Sequence, residues 1–329
     1  MDEVSVVKRV FGGFAVGLLG MVLAGCGGTD RDAGKAAAAV APAAAWRSFA
    51  NADGTTTAIP RPPQRILSTS VAITGTLLAI DAPVAASAST AKNQFFAQWN
   101  EVATQRGVEN VWPVGNIDLE AAYAVKPDLI VVARTGNDSA MAQLAELKEI
   151  APTIVLDYGD KTWQELAVEL GRATGHEQQA AARIAAFDRH VAEARAKIHP
   201  PEGQTDIISF NGPGMGNPIA TRESAHGRLL QALGFDIEEP DPSWQTNNAG
   251  GRKDFVWAPY ENLPRLTART TFLLSVDDDG TRKFVDDPLL ANLPSVRAHQ
   301  VYGLGRDSFR IDYFSATEIV DGIVAKFDQ

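Results

Sequence analysis

The stretch from His176 to Ile198 constrains the fold of this chain more than any other. Its apolar residues Ala180, Ile184, Phe187, Val191, Ala194 and Ile198 recur at intervals of four and three, the period of one helical face. Gln178, Arg189, Glu193 and Lys197 fall on the opposite face. Thr174 and Gly175 stand before the helix, and Pro200–Pro201 cannot continue it. At 1.5 Å per residue such a helix spans about 35 Å, the width of a small domain. Strands and helices alternate on both sides of it. It therefore predicts either a stiff spine bracing two α/β lobes with a cleft between them, or one more crossover helix in a single large sheet.

With 329 residues the chain can hold one large or two medium domains. Its net charge of −10, with no basic run, excludes general nucleic-acid binding. The one cysteine, Cys26, has no partner for an intramolecular disulfide. Nor can one thiol build a cysteine-based zinc or iron–sulfur site.

Lys8 and Arg9 precede an apolar run from Val10 to Leu23, followed by Leu23-Ala24-Gly25-Cys26. These are the three parts of a secretory signal, and the run is shorter than the roughly 20 residues needed to span a bilayer. The ending resembles a bacterial lipoprotein signal, which implies that Cys26 is lipidated and becomes the mature N-terminus. Residues 27–45, rich in alanine and glycine, are expected to form a flexible tether. The expected organisation is a signal over 1–26, a tether over 27–45, a first α/β lobe over 46–174, the linker helix over 175–199 and a second α/β lobe over 200–329. The protein would work outside the cytoplasm, facing the periplasm or the cell exterior and held to a membrane by its lipid.

In the first lobe, Gln64 to Ser70 is a buried strand running into a helix cap, with Ser70 or Thr69 capping a helix from Val71 to Ile80. Asp128 to Ala133 is a nearly continuous apolar strand, as a parallel sheet buried on both faces requires. In the second lobe, Asp206 to Phe210 opens the sheet, and Tyr313 to Phe327 is the closing helix. The glycine-rich turn from Asn211 to Pro218 is no phosphate loop, because no Gly-Lys-Ser/Thr follows it. Asp277-Asp278-Asp279-Gly280 lacks the alternating oxygen pattern of a calcium loop and is expected to be a solvated turn. His176, His190, His199, His226 and His299 show no ligand spacing, so they are read as surface or capping residues and no metal ligand is assigned.

Pro63-Gln64-Arg65-Ile66-Leu67-Ser68-Thr69-Ser70, continuing from Leu77 to Val84, resembles the periplasmic binding proteins for ferric enterobactin and related catecholate siderophores. Lys126-Pro127-Asp128-Leu129-Ile130 is similar to a motif of the wider siderophore, haem and vitamin B12 binding family. The likeness resumes at Gly136 to Ala140, Ile150 to Thr153, Gly171 to Glu177 and Glu223 to Gly227, and ends with Gln300 to Gly305 and Phe309 to Ala316. It covers nearly everything from Trp46 onward. The resemblance implies a two-lobed fold of the siderophore and vitamin B12 type, with a single rigid linker helix. It also implies an ABC importer's substrate-binding component, acting as a monomer beside permease and ATPase subunits. Such a protein carries its ferric chelate unaltered and needs no cofactor.

A ferric tris-catecholate is trianionic and aromatic, so arginine or lysine donors and aromatic contacts would hold it. The resemblance places a ligand-contacting arginine at Arg310, and Arg306 is a second donor on the same turn. Arg222, Arg252 and Lys253 are further candidates in the second lobe, with Trp244 as a stacking surface. Lys92 is the only cation in the Ser89–Gln94 loop, which is shorter than its counterpart in the enterobactin-type proteins and lacks their arginine. Ala220 stands where they carry a ligand-side tryptophan. Asp138 and Glu223 match the regions whose acidic residues dock the permease, and each also suits helix capping. Another iron chelate or haem is the alternative ligand, and a hydrolase of the siderophore backbone the alternative class. No Gly-x-Ser-x-Gly nucleophile elbow occurs, and Ser224 and His226 are too close in sequence on one helix start to pair.

Overall fold

The structure is a computed structural model and describes residues 45–159, 161–246 and 253–328. Cys26, the leader, nearly all of the expected tether and Arg252 lie outside these residues. A hairpin of β1 (Arg47–Ala50) and β2 (Thr56–Ile59) opens the chain. Next come β3 (Ile66–Ser68), α1 (Val71–Ala79), β4 (Val84–Ser89), α2 (Ala97–Gln105), β5 (Glu109–Pro113), α3 (Leu119–Val125), β6 (Leu129–Ala133), α4 (Leu144–Ile150), β7 (Thr153–Leu156) and α5 (Trp163–Thr174). Their sheet is all parallel, in the order β5-β4-β3-β6-β7. β6 is buried along its whole length, as its unbroken apolar run requires. The hairpin is tied to the outer strand β7, where the Val155 amide donates to Asn51 Oδ1 at 2.9 Å and Ala52 N–H donates to the Val155 carbonyl at 2.8 Å. That cover removes an open sheet edge.

The linker α6 runs Glu177–Lys197, after Gly175 has closed α5 in the left-handed conformation (φ 82°). Of its predicted apolar face, Ala180, Phe187, Val191 and Ala194 are buried and Ile184 is partly covered. Trp163 of α5 meets Phe187 edge-to-face at 5.1 Å, and both meet Tyr313, at 5.4 and 6.3 Å. Both lobes are thus seated on one ring cluster against the linker. Such pairs add about 0.5–1.5 kcal/mol each beyond the area they bury.

The second lobe follows with β8 (Gln204–Ile208), β9 (Asn217–Ala220), α7 (Ala225–Ala232), β10 (Asp236–Ile237), β11 (Phe255–Ala258), β12 (Thr270–Leu273), α8 (Arg282–Val285), α9 (Pro294–Arg297), β13 (Val301–Gly303) and α10 (Tyr313–Phe327). Its sheet has the order β11-β9-β8-β12-β13, with β10 added beside β8. β9 and β11 run antiparallel to their neighbours, so the purely parallel pattern of the first lobe does not repeat. The molecule is a two-lobed α/β structure with one linker helix, and the single-sheet alternative is set aside. Among the described residues no helix is long and apolar enough to cross a membrane.

The three aspartates after β12 are a turn held by cations and amides. Asp277 binds Arg306, Asp278 binds Lys326 at 2.8 Å and accepts from Gly303 N–H, and Asp279 faces Arg282 at 3.6 Å. The glycine-rich turn is also a built structure. The buried Asn217 side chain accepts from the amides of Asn211 and Gly212 and donates to the carbonyls of Gly212 and Met215.

Candidate ligand-binding site

Parallel strands leave their loops at the carboxyl end, and ligands of such folds gather there. Loops of that kind from both lobes converge on one cleft. Val71 and Ala72 follow β3, Thr90 and Ala91 follow β4, Val114 follows β5, and Asn137 and Asp138 follow β6. From the second lobe, Ser275 follows β12, while Arg306, Asp307, Phe309 and Arg310 follow β13. With Phe96 and Gln98 they enclose a cleft of about 320 Å³ between the lobes. A narrower extension of about 50 Å³ leads inward past Tyr158, Phe255 and His226, and it shares Ala72, Phe309 and Arg310 with the cleft. An apolar hollow of about 480 Å³ lies beside the linker, between α5 and α7, and adjoins the extension through Thr162, Trp163, Ala225 and Ile311. Its larger volume does not make it the better site, because neither Arg306 nor Arg310 reaches it.

Arg310 stands where the cleft and its extension meet. Its guanidinium lies 5.1 Å from the centre of the Phe309 ring and 5.9 Å from that of Tyr158, in the opposite lobe. It has no carboxylate partner among the described residues. Phe309 stacks on Phe255 at 5.7 Å with 12° between the planes, which fixes the backbone that carries Arg310. Arg306 also lines the cleft, but Asp277 binds it at 2.6 Å and that carboxyl is held below its usual range by the arginine.

The histidine under this loop belongs to the site's foundation rather than to the surface, contrary to the sequence expectation for His226. The ring is buried, with Nε2 2.7 Å from the Ser308 carbonyl, so Nε2 carries the proton. Burial pushes the imidazole down to about 4. The Ser308 hydroxyl accepts from Ser275 N–H at 3.0 Å, joining the two second-lobe loops of the cleft. Ser224 and His226 do not pair: the serine hydroxyl donates to the Thr221 carbonyl at 2.7 Å and accepts from Gly227 N–H.

Several other expectations need correction. Asp138 is buried rather than displayed at a lobe tip. It accepts from the Ser70 hydroxyl at 2.5 Å, Ala72 N–H at 3.1 Å and the Tyr158 hydroxyl at 2.6 Å, so it caps α1 from a distant segment. Trp244 is buried in the second-lobe core, with the Arg265 guanidinium 5.1 Å above its ring, and offers no free face. Arg222 is bound to Asp236 at 2.9 Å, away from the cleft. Lys253 and Lys92 are exposed and absent from the cleft wall, although Thr90 and Ala91 beside Lys92 belong to it. Ala220 is fully buried in β9 within the main core, so it lines no ligand surface. Glu223 is 82% exposed, with Arg228 at 3.5 Å.

Tyr158, Phe96, Phe309 and Gln98 also belong to the cleft and its extension, and the sequence did not single them out. Phe309 adjoins Arg310 in the quoted motif and was the one signal available. The others are single residues in unremarkable contexts.

The chain is 40% identical over 299 residues to the ferric enterobactin-binding periplasmic protein FepB of Escherichia coli O6:H1, covering 88% of this chain and 93% of that protein. It is 26% identical over 271 residues to the probable siderophore-binding lipoprotein YfiY of Bacillus subtilis, covering 78% and 80%. The crystal structure of holo-ViuP superposes with a TM-score of 0.84 at 50% identity, covering 86% of this chain and 95% of that one. The sequence model of the family described as Periplasmic binding protein matches residues 66–307. With a cleft at the carboxyl ends of two sheets, one linker helix and that match, the chain belongs to the periplasmic binding protein family.

Proposed function

We propose that this protein is the lipid-anchored, extracytoplasmic binding component of an ABC importer, capturing a ferric catecholate siderophore between its lobes. The observation that carries the reading is Arg310, a cation without a carboxylate partner among the described residues, set against the rings of Phe309 and Tyr158 at the lobe junction. A positive group in an aromatic wall suits an anionic, aromatic chelate. The iron arrives fully coordinated as cargo and leaves unaltered, so the protein supplies cation and ring contacts and no iron ligand. The 40% identity to a protein named for ferric enterobactin supports the ligand class. Delivery to a permease is supported at the second lobe by the exposed Glu223. The anchor is the lipidated Cys26, which the leader pattern supports.

Tryptophan-fluorescence titration tests the reading. A ferric catecholate should quench with sub-micromolar affinity and a ferric hydroxamate should not, whereas equal response to both defeats it. Labelled palmitate should enter the wild-type chain and not Cys26→Ser; incorporation into both would reject the anchor.

A further inference from the structure

We infer that the cleft is built for a ferric chelate of low net charge, one in which catecholates share the iron with neutral donors, rather than for the trianionic tris-catecholate. This rests on the siderophore reading above and narrows it. Among the described residues, the charges lining the cleft are Arg306 and Arg310 against Asp138 and Asp307, a formally neutral wall. Among the described residues, the inner extension adds Lys161 and Asp254, again one of each sign. Asp277 binds Arg306 at 2.6 Å, placing a further carboxylate next to the same cation. The first-lobe wall of the main cleft contributes no cation among the described residues, only Asp138 amid apolar and neutral side chains. Lys92, the nearest substitute in its loop, is exposed to solvent, where salt screens it.

An anion in such a cleft is attracted to Arg310 and repelled by the lining carboxylates and by Asp277 beside the second arginine. Each added negative charge meets the same neutral wall, so it gains little attraction while giving up more hydration. The aromatic and apolar surface, by contrast, holds catechol rings whatever the charge. The balance therefore favours a complex with two catecholates, whose four phenolates leave ferric iron with a single negative charge.

The full chain can be titrated by tryptophan quenching with three ferric probes: enterobactin as the trianion, a tetradentate bis-catecholamide with water completing the sphere as the monoanion, and a neutral tris-hydroxamate. The monoanion should bind at least about tenfold more tightly than the trianion, about 1.4 kcal/mol. Asp307→Asn should narrow that gap by roughly threefold or more, about 0.65 kcal/mol on the same scale. Trianion binding as tight as or tighter than the monoanion, or a gap that Asp307→Asn leaves unchanged, overturns the inference and leaves the siderophore reading standing. Failure of both catecholates to bind, or equal binding of the hydroxamate, overturns the catecholate reading itself and this inference with it.

Discussion

Gly75, in the middle of α1, faces the carboxylate of Asp312 at the start of α10, with no room between them for a side chain. A Cβ at Gly75 would collide with Asp312 Oδ2 and with the ring of Trp99. Asp312 Oδ2 also accepts from Gln98 of α2 at 3.3 Å, while Oδ1 takes the amides of Phe314 and Ser315. One buried carboxylate thus caps the last helix and fits against two helices of the first lobe.

Gly75→Ala should destabilise the protein. At an ordinary helix interior the change would help by up to about 1 kcal/mol. Here overpacking of the lobe boundary should cost about 1–3 kcal/mol. Urea unfolding measures it, and a midpoint at or above wild type would refute the close fit.

Burial raises the Asp312 carboxyl from 3.8 to about 6. The folded state then holds this proton more tightly than the unfolded chain. Its contribution is full below about pH 4 and is lost as the pH climbs to about 6. Asp312→Asn should remove this decline, gaining roughly 3 kcal/mol relative to wild type between pH 4 and 7. Denaturation of both proteins across that range is the measurement, and parallel pH profiles would contradict it.

His226 works with the opposite sign. Its folded value of about 4 lies under the ordinary 6.5, so the unfolded chain binds more protons in between. Stability from this residue is full above about pH 6.5 and is lost as the pH falls towards 4. His226→Phe should flatten that slope, and at neutral pH it should cost about 1–3 kcal/mol by leaving the Ser308 carbonyl unpaired. His226→Gln, which keeps a donor, should recover part of the neutral-pH loss but not the slope.

Arg310→Ala should weaken ferric catecholate binding at least about tenfold with little change in melting temperature. Arg222→Ala, whose guanidinium is bound to Asp236 on the surface, should alter affinity by less than about twofold. Equal losses in the two variants would show that general surface charge, not position, attracts the ligand.

Much of the scaffold was legible because it is written in local patterns. The four-three spacing from Ala180 to Ile198 marked the linker, Ser70 caps α1 as expected, and the last helix spans Tyr313–Phe327 as anticipated. The cleft was less legible because its residues converge from loops far apart in the chain. Arg310 was found through its motif, but nothing local distinguishes it from Arg222, whose partner Asp236 is supplied by the fold. Asp138 fits the pattern of a docking acid or a helix cap; it is buried and caps α1 through Ser70 and Ala72, a contact across the sheet that no local pattern shows. Trp244 looked like a rim residue because its neighbours are polar, and only the packing of the second lobe shows it covered.

The close of α10 returns to the linker: Asp328 forms a bridge with Ile198, and His199 N–H donates to the Phe327 carbonyl at 3.2 Å. A polypeptide that emerges from a ribosome or a translocation channel with its N-terminus leading can assemble the first sheet early. It cannot lock its central brace until the segment that follows α10 has emerged as well. The clamp on the linker is therefore a late contact, made between segments far apart in sequence, and pairings of that kind are the slow ones in folding.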